Sequence, residues 1–574
     1  MKLLFLYFIL SAWGSVAATS CKCAPEQSCW PSVREWTRFN VSISGRLIET
    51  SPVAKPCYPG PDNDNEACII VRNNWSSATF QLSQPLGYAY PLNESCPLPD
   101  PGDEVTNANC SLGHSPIYAV NVTTEQDISR SIDFARARNL RLVIKSTGHD
   151  AMQRSTGYGS LSIWLHNFRK GFEFHENNPV ASVCPETNWQ GSTLTIKGVY
   201  AWSDIYPEAQ KQGVIVLGGL NVVTTRYFGM GADQVLSARV VLASGKVAIA
   251  NACENKALFY AIRGGGGGTY GVVTEITVKT YPTAQVSTID LVVGSTGEAT
   301  TSRFLDAVAT VYSLLPKLSK VGFAGYGNWV ARSPLPIGAT AYTNLYGQSF
   351  TLLGATQPEA IKLFKPFREE IAKYNKSGSG VEVTITSSTH KDYWAYYFSR
   401  RDNDVPVGGV SALASRLLDA QALQGNQQDL RKALETISGG SPVFHTIVHH
   451  GLEAASDVKA DPTSAVQPGW YVSIILDIFE LQMNGTQVRS NLDTFAYLRN
   501  EIVPIYEKLS PRTGTYMNEA DWGNVNWKDD FFGSNWEGLS QAKAKYDPEG
   551  VFYCPHCVGS DEWIEGKRSL CRVK

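Results

Sequence analysis

Twelve cysteines punctuate this 574-residue chain, and they are spread unevenly. Seven lie between Cys21 and Cys110 and three between Cys554 and Cys571, while the long middle holds only Cys184 and Cys253. What such a pattern can fold into depends on the redox compartment, and the N-terminus indicates which. Lys2 precedes an apolar run from Leu3 to Leu10 and on to Trp13, followed by the small residues Gly14 to Ala18. A basic start, a short apolar stretch and an Ala-x-Ala-like exit describe a secretory signal peptide over residues 1–18, cleaved near Ala17 or Ala18. A membrane anchor needs an apolar run of about 20 residues, and no later stretch supplies one. A secreted chain with an even number of cysteines is expected to form disulfides. Sequons at Asn40, Asn74, Asn93, Asn109, Asn121, Asn375 and Asn484 agree with a secreted glycoprotein.

Charge narrows the partners. Fifty basic and fifty-three acidic residues leave a net charge of −3, without the basic excess of a nucleic-acid binder. No nucleic-acid or membrane partner is expected, and the chain is expected to be a monomer.

Residues 19–111 are rich in Pro, Asn, Asp and Cys and show little periodicity, as a loop-rich extension stapled by its own disulfides would, with one cysteine pairing elsewhere. At Ile117 the texture changes. Ile117–Val122 reads as a strand, Thr123 and Gln126 as a capping box, and Ile128, Ile132 and Ala135 as one face of a helix running to Asn139. Leu140–Lys145 is again a strand, ending in Ser146-Thr-Gly-His-Asp150. Further on, Val235–Leu242 and Lys246–Ala250 form a hairpin, and a helix over Glu254–Arg263 enters five glycines, 264 to 268. From about 285 to 504 strands such as Gly469–Phe479 mix with helices such as Pro358–Tyr374, and a helix over Leu492–Lys508 leads into the tail.

Three constellations invite chemistry. The glycine run lacks the order of a dinucleotide fingerprint, in which a strand enters the glycines and a helix leaves them; here the order is reversed. Cys554-Pro-His-Cys557 has thiol–disulfide exchange spacing, but its flanks read as strand and loop rather than a helix N-terminus, and no second pair completes a zinc site. Structural disulfides, with Cys571 as another partner, are the expectation, and no metal site is expected. His149 is the most informative residue. Ser146, Thr147, Gly148, Thr156, Gly157 and Gly159 place hydroxyls and flexible backbone around it, a loop able to hold a polyanionic cofactor without net charge. The pair His449-His450 is unspecific, because adjacent strand residues face opposite sides.

The segments Lys145–Asp150 and Ser155–Gly159 resemble the cofactor loop of FAD-linked oxidases of the vanillyl-alcohol oxidase and berberine-bridge-enzyme type. The resemblance continues through Gly231–Gln234, Asn255–Gly264 and Tyr270–Thr274, and resumes at Tyr516–Asp521, Phe531–Asn535 and Lys545–Phe552. It covers most of 112–285 and 510–563 and is closest to secreted fungal members. It implies an α+β fold: a split, two-subdomain PCMH-type FAD-binding domain (112–284, completed by a berberine-bridge-like segment at 505–574), interrupted by a substrate domain on an antiparallel sheet (285–504). It further implies FAD as cofactor, attached to His149, with Lys145, Ser146, Thr147, Gly148, Asp150, Thr156, Gly157, Gly231, Val273 and Asn518 around it. The reaction implied is oxidation of a hydroxyl on a small molecule (an alcohol, sugar or secondary metabolite), with O2 as second substrate and H2O2 as product.

Two departures from the family pattern stand out. Many members carry Tyr-x-Asn-Tyr with the second Tyr as base; here it is Tyr516-Met-Asn-Glu519, so Glu519 or Tyr516 is the base. After Gly219 a glycine-rich segment near the flavin is shortened, and the chain runs from Leu220–Thr225 directly to Arg226–Gly231. Two rivals follow: a family member without activity that serves as an extracellular binding protein, and a thiol–disulfide oxidoreductase using Cys554 and Cys557.

Overall fold

The computed structural model describes residues 18–573 apart from 92–94, 100–108, 220–221, 334, 338–339, 377, 401–406, 410, 440–445, 453–457 and 483–487. The proposed signal peptide to Ala17 and the sequons at Asn93 and Asn484 lie outside the described residues.

The strand–helix–strand unit forms as the periodicity requires. Tyr118–Asn121, Leu161–Trp164 and Leu142–Lys145 pair in parallel, and helix Glu125–Ala137 packs Ile128, Ile132 and Ala135 beneath them. Its cap lies one residue later than the Thr123–Gln126 pairing. The Asp127 carboxylate reaches back to the amides of Thr123 and Thr124 at 3.1 and 3.0 Å, and the Thr124 hydroxyl accepts from the Asp127 amide. The fourth strand of this sheet, Leu47–Glu49, comes from the Cys-bearing extension and runs antiparallel to Tyr118–Asn121.

A second sheet has five antiparallel strands, ordered Val247–Asn251, Val235–Val241, Val272–Lys279, Thr193–Gly198 and Arg169–His175. The third is a seven-stranded antiparallel sheet built from residues 286–482. Helices Thr301–Lys320, Gln357–Ile371 and Gln427–Ser438 cover one face, where Phe304, Leu315, Phe364 and Leu434 meet Leu291, Phe350 and Phe479. Each such side chain contributes about 1.5–3 kcal/mol by burial, which is why that face is closed to solvent. The opposite face, carrying Leu413, Leu417, Leu476 and Ile478, turns toward the loop that follows Lys145, packing with Ala151.

Two expected elements are altered. The strand expected over Gly469–Phe479 begins at Ser473, because Pro468–Tyr471 winds into a 3-10 turn with Gln467 accepting from the Gly469 amide. The helix expected over Leu492–Lys508 is two helices, Val488–Tyr497 and Val503–Leu509, joined by a π turn at Leu498–Ile502; Pro504 has no N–H to continue the ladder.

All twelve cysteines are paired. Cys23–Cys29, Cys57–Cys68 and Cys96–Cys110 staple the extension, and Cys21 pairs with Cys571, where Ala18–Cys21 and Ser569–Val573 run antiparallel. Cys554 bonds Cys557, and Cys184 bonds Cys253. No helix among the described residues is long and apolar enough to cross a membrane.

Candidate active site

The loop leaving strand Leu142–Lys145 folds upon itself. The Asp150 carboxylate accepts the amides of Met152 and Arg154 at 3.3 and 2.6 Å and pairs with the Arg154 guanidinium at 2.9 Å. The Thr147 hydroxyl accepts the His149 amide at 3.2 Å. Held in this way, Ser146–Asp150 form one wall of a cavity of about 780 Å³.

The glycine run forms another wall, and its residues divide by role. A side chain on Gly264, whose φ is +131°, would overlap the backbone of Ala465 and Val466, and one on Gly265 would strike the Ala261 carbonyl. These two glycines are packing requirements. Gly266, Gly267 and Gly268 line the cavity together with Gly264, and beside Gly267 no atom lies within 4 Å of where a Cβ would stand.

The C-terminal motif is delivered along the edge strand Ser411–Asp419. The Leu417 amide donates to Gly514 at 2.9 Å and the Thr515 hydroxyl to the Ser415 carbonyl at 2.6 Å, which sets Tyr516 at the cavity and coils Met517–Glu519 into a 3-10 turn. Asn518 latches this motif to the loop that follows Lys145. Its carbonyl accepts the Ala151 amide at 3.2 Å, its side-chain oxygen accepts from Arg154, and its side-chain nitrogen donates to the Tyr516 hydroxyl at 3.0 Å.

Glu519 is half-buried beside this wall. Burial, opposed by His449 and aided by the Glu480 carboxylate, pushes its carboxyl up to about 7. Glu480 accepts from the Ser411 hydroxyl at 2.7 Å and lies 3.0 Å from His449 Nε2; the His449 hydrogen bond holds its carboxyl below the usual range. His449 and Glu480 occupy the side of their strands that faces Glu519. The next residue, His450, turns into the core, with its Nε2 2.8 Å from the Tyr346 hydroxyl, so adjacent positions do face opposite sides.

His149 lines the cavity, its ring edge-on to Tyr90 with centroids 5.2 Å apart. Dense surrounding protein lowers its pKa against the pull of Asp150, leaving a neutral imidazole at pH 7. Behind the loop Lys145 is fully buried. Its ammonium donates to the Gln84 carbonyl at 3.1 Å and lies over the Tyr88 ring, and burial brings its pKa down to about 7.

The cavity therefore gathers Ser146, Thr147, Gly148, His149, Asp150, Gly231, Val273, Tyr516 and Asn518. Lys145, Thr156, Gly157 and Glu519 stand off its wall. The Thr156 hydroxyl donates to the His114 carbonyl at 2.9 Å, and Gly157 packs against the Arg141 guanidinium, so both look away from the cavity. Sequence reasoning missed Tyr90, Trp202 and Trp470. Tyr90 sits in the aperiodic extension, where no pattern marks it, and the two tryptophans differ in no way from core residues until the cavity is seen. Among the described residues no group of three His, Cys, Asp or Glu side chains is arranged to hold a metal ion.

Comparison with known proteins decides the family. Residues 116–251 match the model of an FAD binding domain, and residues 515–559 that of berberine and berberine-like proteins. The chain is 64% identical to the FAD-linked oxidoreductase apf9 of Gibberella fujikuroi, over 98% of this chain and 99% of the relative. The chain belongs to the FAD-linked oxidoreductases of the vanillyl-alcohol oxidase and berberine-bridge type. Among solved structures, the VAO-type flavoprotein MtVAO713 from Myceliophthora thermophila C1 superimposes with a TM-score of 0.91 at 36% identity, covering 96% of this chain and 99% of that one. The fold is thus the split FAD-binding fold with its inserted domain. The alignment with apf9 spans 582 positions against the 574 residues of this chain, so that relative carries residues this flavoprotein lacks.

The residues present fit FAD. The cavity is within the ~300–1,000 Å³ of small-molecule sites, glycines leave part of its wall open to close approach, and loop hydroxyls and amides offer neutral donors to a diphosphate. Helix Val222–Phe228 is fastened to the substrate domain, with Arg226 donating to the Ser319 carbonyl at 2.5 Å and Tyr227 to that of Gly322 at 2.6 Å.

Proposed function

We propose that this flavoprotein is a secreted oxidase of a hydroxyl-bearing small molecule, an alcohol, sugar or secondary metabolite. Bound FAD supplies the redox chemistry, accepting hydride from the substrate carbon and passing the electrons to O2 as H2O2. The protein supplies the place and the base. Ser146, Thr147 and Gly148 hold the cofactor, and the neutral His149 imidazole is the point of covalent attachment. The Glu519 carboxylate takes the proton from the substrate hydroxyl. The observation that carries this reading is the carboxyl of Glu519 raised to about 7 by burial, directly beyond Tyr516 and Asn518 on the cavity wall. A base with that affinity is half ionised at neutral pH and still strong enough to accept the proton. Asn518 donates to the Tyr516 hydroxyl oxygen and fixes that ring at the cavity.

The test is acid precipitation of the full-length protein. Yellow flavin stays with the wild-type pellet and leaves it in His149→Ala, and the wild type releases peroxide over a panel of alcohols and sugars. Wild-type protein that folds without flavin returns the chain to the reading of an extracellular binding protein, which the shortened segment after Gly219 suggested. Passage through the secretory pathway predicts glycans at Asn74, Asn109 and Asn375, which are exposed. Asn40 and Asn121 are half-buried, so they stay bare. Peptide mapping before and after deglycosylation reads the difference.

A further inference from the structure

The segment Gln84–Tyr90 belongs to the stapled extension, yet it is bonded to Lys145, Gly148 and Gln153, against the loop whose residues 146–150 form one wall of the cavity. The Gln84 carbonyl receives the Lys145 ammonium at 3.1 Å, the Ala89 amide donates to the Gly148 carbonyl at 3.1 Å, and Gln153 Nε2 donates to the Tyr90 carbonyl at 2.5 Å. From the other side the Gly408 amide donates to the Ala89 carbonyl at 2.8 Å. The backbone at Tyr90 is therefore gripped by both the cofactor loop and the substrate domain, and its side chain is aimed rather than free. The ring stands edge-on to His149 at 5.2 Å and packs with Tyr516 against the group containing Trp470 and Ile478. Its hydroxyl has no hydrogen-bond partner among the described residues and is not sealed from solvent, so it is open to a molecule lying beside His149.

We propose that Tyr90 touches the substrate, its phenol donating a hydrogen bond to the substrate hydroxyl oxygen while Glu519 accepts that hydroxyl's proton. This rests on the oxidase reading above. The proton moves from the substrate O–H to the Glu519 carboxylate; Tyr90 keeps its own. Burial, then the carboxyls of Glu519 and Glu480 and the ring of Tyr516, hold the Tyr90 phenol well above its ordinary range, so it stays a donor wherever Glu519 is ionised. A hydroxyl held between a fixed donor and a fixed acceptor has its O–H bond directed at the base, which is the positioning that proton abstraction needs. The extension is then part of the active site, and the disulfides that staple it preserve a catalytic geometry.

The experiment compares wild type, Tyr90→Phe, Glu519→Gln and the double variant as full-length holoprotein, using benzyl, allylic and sugar alcohols and the methyl ether of each. Tyr90→Phe is expected to keep its flavin and melting temperature and to lose about tenfold to a hundredfold in kcat/KM, the worth of one hydrogen bond strengthened by charge. The ethers keep the acceptor oxygen but have no proton to give. Followed by perturbation of flavin absorbance, their binding weakens about tenfold in Tyr90→Phe and is unchanged in Glu519→Gln. The double variant falls short of the sum of the single losses, because both residues act on one hydroxyl. Wild-type kcat/KM and ether affinity in Tyr90→Phe overturn the proposal, as does loss of flavin in that variant, which would make Tyr90 a prop for His149. A wild type that binds the ethers and makes no peroxide defeats the oxidase reading, while the ether titration still reports on Tyr90.

Discussion

At Glu519 and Lys145 burial acts on groups of opposite charge with opposite sign: it holds the carboxyl up near 7 and brings the ammonium down near 7. For Glu519 the consequence is catalytic. The ionised fraction grows as pH rises through about 7, so kcat/KM climbs through an acid limb centred there, and Glu519→Gln loses about a hundredfold or more above that limb and progressively less below it. A flat profile between pH 5 and 8 counts against the carboxylate as base. For Lys145 the consequence is stability. Its folded pKa lies below the unfolded value of 10.5, so folding carries the cost of an unpaired charge in full below about 7, and that cost fades between about 7 and 10.5. Lys145→Met is therefore expected to raise the melting temperature at pH 6, with the gain shrinking toward pH 10, at matched flavin content. The motif Tyr516–Glu519 could be read from the sequence because substitution within a known pattern marks the altered residue. Tyr90 could not, because nothing local in residues 19–111 distinguishes a tyrosine aimed at a site 59 positions later from one that packs a loop.

At the scale of elements, periodic stretches read well and irregular ones did not. The hairpin across Ser244-Gly245 and the helix under the parallel strands follow from alternation and 3.6-residue spacing, both local properties. The false start at Gly469 has a tertiary cause. A side chain there would meet the Thr513 carbonyl, so its backbone belongs to the turn that receives the C-terminal motif rather than to a strand. The five glycines show the same limit. As letters they are identical, yet close approach of Ala465 demands the first, whereas at Gly267 the cavity leaves a Cβ in open space. Gly264→Ala, which combines overlap with a left-sided φ of +131°, is expected to destabilise the fold by about 1–3 kcal/mol, read as a lower denaturation midpoint. Gly267→Ala meets no atom within 4 Å and should melt as the wild type does, but its methyl enters the cavity and lowers bound flavin. Equal loss of stability in both variants would erase the division.

Across the whole molecule the cysteine-rich ends turn out to be one structure. The extension supplies the outer strand Leu47–Glu49 to the parallel sheet, presents Tyr90 to His149, and is closed against the C-terminus by Cys21–Cys571. The unequal spacing of cysteines announced that both ends are anchored; that they anchor each other is a matter of topology, to which spacing is blind. The bond spans 550 residues, whereas Cys554–Cys557 spans 3. Cross-linking acts chiefly on the unfolded chain, by forbidding conformations in which the linked residues are far apart, and it forbids more of them when the loop is long. The remaining disulfides close loops of 69 residues or fewer in separation and cannot substitute for it. Replacing Cys21 and Cys571 together by Ser is expected to cost about 2–5 kcal/mol in urea unfolding, and the matching Cys554 and Cys557 pair distinctly less. If the terminal bond serves only to hold the short sheet Ala18–Cys21 against Ser569–Val573, its removal frays that sheet without moving the global midpoint, and flavin content is untouched. If it closes the extension over the cofactor loop, the midpoint falls and flavin is lost more readily on dilution into denaturant, because Gln84–Tyr90 are released from Lys145 and Gly148 as the ends part.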